Sequence, residues 1–113
     1  MFPRSERVTS LIFQEVIKKG RRLRSDHFSV HFISISDLKK AKISVVATKK
    51  ASNKAVDRNR LKRQTREYIK NTILKNKPLP GNLAVLVFIH FSWSGRLPAA
   101  YALELQILFK QIR

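Results

Sequence analysis

The hydrophobic positions of this chain follow two rhythms. Near the N-terminus Val8, Leu11, Ile12, Phe13, Val16 and Ile17 recur at three- and four-residue spacings, and Lys18, Lys19 and Gly20 supply cations and a glycine where the pattern stops. That is an α-helix with its C-terminal signals. Its apolar surface is wide, with Leu11, Ile12 and Val16 on one side and Phe13 and Ile17 beside them as an i,i+4 pair, so one ridge should stay outside the core. From Asp26 to Ile35 the period drops to two: Phe28, Val30 and Phe32 share one face, His27, Ser29, His31 and Ile33 the other, which reads as a strand. Lys42 to Thr48 reads as a second strand, and with a turn at "SDLKKA" the two predict an antiparallel hairpin.

From about Lys54 to Asn76 there is no Pro or Gly, and Leu61, Thr65, Tyr68, Ile69, Thr72 and Ile73 form a helical stripe. Pro78 and Pro80 cannot continue that helix. Leu83 to Phe91 is a near-continuous apolar run of strand length, suited to a central strand covered on both faces. Beyond Pro98, placed near a helix start, Leu97, Tyr101, Leu105, Leu108 and Ile112 line one face of a last helix. The order is α-β-β-α-β-α, with Arg21–Ser25 a candidate for one short extra strand. It predicts an α+β sandwich, helices packed on one layer of sheet. A chain of 113 residues without repeats, low-complexity segments or a dividing linker suits one domain, 1–113, with one core.

Charge changes the picture most. Twenty-four Lys and Arg against 7 Asp and Glu give a formal net charge of +17, which points to nucleic acid as the partner. A membrane-surface protein would instead show a basic amphipathic helix with a large exposed apolar face, whereas the apolar positions here are needed for a core. With no cysteine, disulfides, thiol chemistry and cysteine-ligated zinc are excluded. No segment approaches the roughly 20 apolar residues that span a bilayer, and no long apolar run follows the charged N-terminus, so a cytoplasmic location is expected.

An intrinsic nuclease would need clustered carboxylates or a paired acid and base. Glu6, Glu15, Asp26, Asp37, Asp57, Glu67 and Glu104 are scattered singly, and His27, His31 and His90 show no ligand spacing, so neither catalytic nor metal-binding residues are expected.

Lys49 to Arg66 holds eight basic residues and one acid. At ~100° per residue, with Leu61, Thr65, Tyr68 and Thr72 turned inward, Asn59, Arg63, Arg66 and Lys70 fall on a flank and the outward side, Arg60 and Glu67 opposite the stripe. Arg58 and Lys62 rotate to the stripe's boundary, aimed along a sheet edge. Charge runs are usually solvated faces. Here the acids that would balance the face are nearly absent, a second cluster lies at Lys18–Arg24, and the helix start offers backbone N–H groups to a phosphate. A ribosomal or other structural RNA-binding protein fits the charge equally well.

The segment "KKASNKAVDRNRLKRQTREYIK" resembles the signature of the bacterial ribonuclease P protein component family. In that pattern a strand ending in Ser or Thr and two lysines leads to a helix opening with Arg-Asn-Arg, here Thr48, Lys49, Lys50 and then Arg58, Asn59, Arg60. "RVTSLIFQEVIKKGRR" is similar to the family's first helix, with Phe13 and Gly20 in place. The resemblance is strongest from Lys42 to Ile69. It implies a fold like the second domain of ribosomal protein S5, with a left-handed β-α-β crossover. It also implies an accessory subunit of an endoribonuclease, which binds the catalytic RNA and the single-stranded 5′ leader of precursor tRNA. Catalysis is expected from the RNA. Mg2+ is expected to serve the holoenzyme, with no cofactor bound by the protein alone and no protein oligomer required.

By position, the family's RNA contacts map to Lys49, Lys50, Asn53, Lys54, Arg58, Asn59, Arg60, Lys62, Arg63 and Arg66, and its leader cleft to Phe13, Ile17 and His31. Where the family often has a second aromatic this chain has Ile17, and where it often has a tyrosine this chain has His31, leaving a smaller stacking surface.

Overall fold

A computed structural model of the protein describes residues 10–36, 41–48, 50–76, 79, 81–92, 95 and 97–112. Val8, most of the "SDLKKA" turn, Lys49 and the two helix-breaking prolines, 78 and 80, lie outside the described residues.

Helix α1 (Ser10–Lys19) leads through Gly20 into β1 (Arg21–Arg24), the short strand suspected at this place, then β2 (Phe28–Ser34) and β3 (Lys42–Ala47). Helix α2 (Ala55–Tyr68) continues without a break through a π-helical segment, Ile69–Ile73, into a last α turn, Leu74–Asn76. Strand β4 (Leu83–Ile89) and helix α3 (Ala99–Lys110) complete the chain.

The strands form one sheet in the order β1-β2-β4-β3. The hairpin expected between β2 and β3 does not form. Strand β4 inserts between them, antiparallel to β2 and parallel to β3, and β2 takes β1 as its other antiparallel neighbour. The connection from β3 through α2 to β4 is therefore a β-α-β crossover between adjacent parallel strands. A strand with neighbours on both edges and helices on both faces has no solvated side, which is why Leu83 to Val87 are buried without alternation.

Each face of the sheet has its own core. Phe28, Val30, Phe32, Ile43, Val45, Val85, Val87 and Ile89 point toward α2 and α3, where Leu61, Ile69, Leu105, Leu108 and Phe109 meet them. Full burial of such side chains contributes about 1.5–3 kcal/mol each, and this larger core carries most of the fold's hydrophobic stabilisation. On the opposite face Val16, Ala84 and Leu86 are buried, with Ile12, Phe13, Ile33, Ile35 and Phe88 packed around them. Leu11 at 77% and Ile17 at 45% exposure form the ridge of α1 left outside. Helix α1 thus covers only part of its face.

One position leaves the strand alternation. His27 sits in a bend before β2 instead of sharing a face with Ser29 and His31, and its ring stacks on Tyr101 of α3 at 3.6 Å between centroids. Its backbone N–H donates to Glu104 Oε1 at 3.1 Å, and its Nδ1 lies 2.5 Å from Glu104 Oε2. This contact ties α3 to the turn between β1 and β2.

Candidate nucleic-acid interface

The loop before α2 is built by its own side chains. Ala51 N–H donates to Thr48 O at 2.9 Å, Lys50 N–H to Thr48 Oγ1 at 3.3 Å, and Lys54 N–H to Ser52 Oγ at 3.1 Å. Ser52 Oγ in turn donates to Asp57 Oδ2 at 3.3 Å, and Arg58 Nη1 donates to Ser52 O at 2.9 Å. Arg58 therefore spends part of its guanidinium holding the loop against the first turn of the helix. Lys50, Asn53 and Lys54 are left exposed along that loop.

Along α2 the side chains sort into rows spaced by four residues, the spacing that puts neighbours one above another. Leu61, Thr65 and Ile69 are buried, and Thr65 Oγ1 donates back to Leu61 O at 2.8 Å. Arg58, Lys62 and Arg66 form a half-buried row at the edge of that stripe, and Asn59, Arg60 and Arg63 are exposed beyond it. Arg66 thus belongs with Arg58 and Lys62 rather than on the outward side where helical phase alone had placed it. Among the described residues no ion pair engages Arg60, Lys62 or Arg63. A cationic surface of two adjacent rows runs down the helix.

The second surface lies on the face of the sheet that α1 covers only in part. Strand register brings Arg22, His31, Leu86 and Ser44 into one row across the sheet and Arg24, Ser29, Phe88 and Val46 into the next. Phe88 is the centre of this surface. Phe13 approaches it edge-on at 6.3 Å from α1 and His31 at 4.9 Å from β2. Next to it Ser29 Oγ lies 2.6 Å from His90 Nε2, which fixes the direction of that imidazole.

The structure brings Phe13 and His31 together, but Ile17 lies on the exposed ridge of α1. Phe88, Ser29 and His90 are residues of this surface that sequence reasoning did not single out, and Arg22 and Arg24 come to it from the basic cluster at Lys18–Arg24. Their signal was the alternation of β1, β2 and β4 once the register between those strands is known.

Both histidines titrate below the ordinary imidazole value. Partial burial is the main cause for His31, aided by the charges of Arg22 and His90, and for His90 burial acts with Arg24 and Lys50. Glu104 lies off this surface. Burial pushes its carboxyl up, but hydrogen bonds from Ser25 and His27 and the nearby imidazole together hold it below the usual carboxylate range. Among the described residues no three of His, Asp and Glu converge as metal ligands.

The fold and its charge define a small basic α+β domain with a cationic helix crossing over from the edge strand of a mixed sheet. The chain belongs to the ribonuclease P protein family, whose model, described as Ribonuclease P, matches residues 2–113. It is 41% identical over 58 residues to the ribonuclease P protein component of Syntrophobacter fumaroxidans, a match covering 51% of this chain and 47% of that protein. The chain thus spans about half the length of the curated relative it matches.

Among solved structures it is similar to the ribonuclease P protein of Staphylococcus aureus, at 24% identity and a TM-score of 0.62 over 92% of this chain and 87% of the other. It is also similar to that of Thermotoga maritima, at 22% identity and a TM-score of 0.61 over 96% and 84%. These likenesses establish the fold.

Proposed function

We propose that the protein is the protein subunit of ribonuclease P, and that it promotes removal of the 5′ leader from precursor tRNA by binding the catalytic RNA and the leader. The observation that carries this reading is the pair of cationic rows on α2, Arg58–Lys62–Arg66 and Asn59–Arg60–Arg63, in a chain whose family is established.

Phosphates meet the rows and the loop residues Lys50, Asn53 and Lys54, to which Lys49 adds by sequence position. Backbone contacts of this kind supply affinity and register without reading sequence. The second surface receives the unpaired leader. Bases stack on Phe88 and Phe13 with His31 beside them, while Arg22 and Arg24 hold the phosphates. Stacking tolerates any base, as a subunit serving many precursors requires.

The bond is cut by the RNA, and the protein contributes by binding. Mg2+ needed by the holoenzyme is held there by phosphate oxygens of the RNA, hard ligands of the kind this cation prefers. No helix among the described residues is long and apolar enough to cross a membrane, and the protein works with its RNA in the cytoplasm. The reading as a ribosomal or other structural RNA-binding protein has no observation in its favour beyond charge. Reconstitution with the organism's ribonuclease P RNA at low magnesium tests the proposal: stimulated precursor cleavage supports it, and a rate equal to that of RNA alone overturns it.

A further inference from the structure

At the end of the sheet away from the α2 approach loop, α1 turns into β1 through Gly20. A Cβ at this position would stand 2.4 Å from Val16 O and 2.8 Å from Phe32 O, so the chain passes too close to β2 for any side chain. The turn is closed by Gly20 N–H donating to Val16 O at 2.9 Å. This close passage sets Lys19 and Arg21 on either side of the glycine. A recess of ≈ 350 Å³ opens beside it, lined by Lys19, Arg21, Phe32, Ile33, Ser34 and Leu83.

The lining offers two exposed cations, the exposed Ser34 hydroxyl, which accepts from Asn82 Nδ2 at 3.0 Å, and the half-buried Ile33, with the buried Phe32 and Leu83 closing the floor from the core. The volume lies at the small end of the range for ligand pockets and suits one nucleotide. Among the described residues Lys19 pairs with Glu15, at 3.5 Å with both side chains at least half exposed, a pairing worth about 0–1 kcal/mol and easily exchanged for a phosphate.

We propose that this recess is a further RNA-binding subsite, separate from α2, that seats one nucleotide with its phosphate between Lys19 and Arg21 and its sugar against Ile33 and Ser34. The proposal rests on the reading of this protein as an RNA-binding subunit and extends it. Strand β1 is the sheet edge opposite β3, from which the chain passes into α2, about 14 Å away at strand spacings of ~4.8 Å. The recess also lies at the opposite ends of the strands, where β1 begins and β2 ends, about 20 Å along at ~3.3 Å per residue. The two cationic sites therefore hold different stretches of RNA, and the protein bridges them. Lys18, Arg22 and Arg24, all exposed, carry positive charge onward from the recess. A membrane surface would meet a convex apolar face rather than a concave site of nucleotide size.

The test uses the full chain, comparing wild type, Lys19→Ala/Arg21→Ala and Arg60→Ala/Arg63→Ala. Each is titrated over a salt series with the catalytic RNA, with precursor tRNA and with tRNA lacking the leader. The recess variant is expected to keep the wild-type melting temperature and to lose about 0.7–0.9 from the slope of log K against log salt, the share of the single phosphate held there. Loss with the catalytic RNA names that RNA as the source of the nucleotide, and loss only with leader-bearing tRNA names the leader. An unchanged slope with all three RNAs overturns the subsite, as does weakened sedimentation with phosphatidylserine vesicles while RNA binding stays intact. If Arg60→Ala/Arg63→Ala also leaves every slope unchanged, the underlying RNA-binding reading falls with it.

Discussion

Arg60→Ala/Arg63→Ala separates a binding surface from a solvated face. Both side chains are exposed and, among the described residues, unpaired with any carboxylate, so their removal should change folding stability by no more than about 0.5 kcal/mol. If each arginine neutralises one phosphate, binding releases two fewer counterions. The slope of log K against log salt then falls by about 1.8 for duplex RNA and about 1.4 for single strands. Between 50 and 200 mM salt the wild type's advantage in affinity therefore shrinks by about tenfold. Filter binding or fluorescence anisotropy with ribonuclease P RNA at four or five salt concentrations reads this directly, and a thermal melt of the variant checks the fold. Parallel salt plots for wild type and variant would refute the placement of these arginines at the RNA. Arg58→Ala should behave differently, because its guanidinium holds Ser52 O at 2.9 Å. That variant should lose about 1 kcal/mol of stability in addition to any RNA contact.

Gly20→Ala forces a methyl group into the carbonyls of Val16 and Phe32, and the chain should lose about 1–3 kcal/mol in denaturant unfolding. Phe88→Ala removes the ring that Phe13 and His31 approach, and should weaken leader-bearing over leaderless precursor by about 1–3 kcal/mol, read as the ratio of dissociation constants. Because His31 and His90 titrate below about 6.5, the unfolded chain binds more protons between that value and their lowered ones. Stability should therefore fall as pH drops through this window. Leader affinity should rise over the same range as the cleft gains charge, and His31→Phe/His90→Phe should flatten that rise in a binding titration against pH.

Much of the site was legible before the fold. A four-residue spacing places Leu61, Thr65 and Ile69 inward and turns Arg60 and Arg63 out, because a helix repeats its faces regardless of what it packs on. Strand alternation likewise assigned Phe28, Val30 and Phe32 to one face. It could not assign neighbours, since side-chain period says which face a residue takes and nothing about which strand lies beside it. Proximity in sequence favoured a β2–β3 hairpin, but the uninterrupted apolar run of β4 was the contrary signal. A strand buried on both faces belongs inside the sheet, where it separates β2 from β3.

His27 escaped because its position was read as extended, whereas the bend before β2 turns its ring toward Tyr101 and Glu104. Phe88 looked like one more core residue. Its place at the centre of an open surface depends on how much of the sheet α1 leaves uncovered, which only packing decides.

The central claim is that this chain acts on RNA as a subunit that cannot cut by itself. It is tested most directly by single-turnover cleavage of precursor tRNA by the organism's ribonuclease P RNA at limiting magnesium, with and without the protein, beside the protein alone. The account predicts faster cleavage and a lower magnesium requirement when the protein is added, and no cleavage by the protein alone. Equal rates with and without it, or cleavage without the RNA, would contradict it.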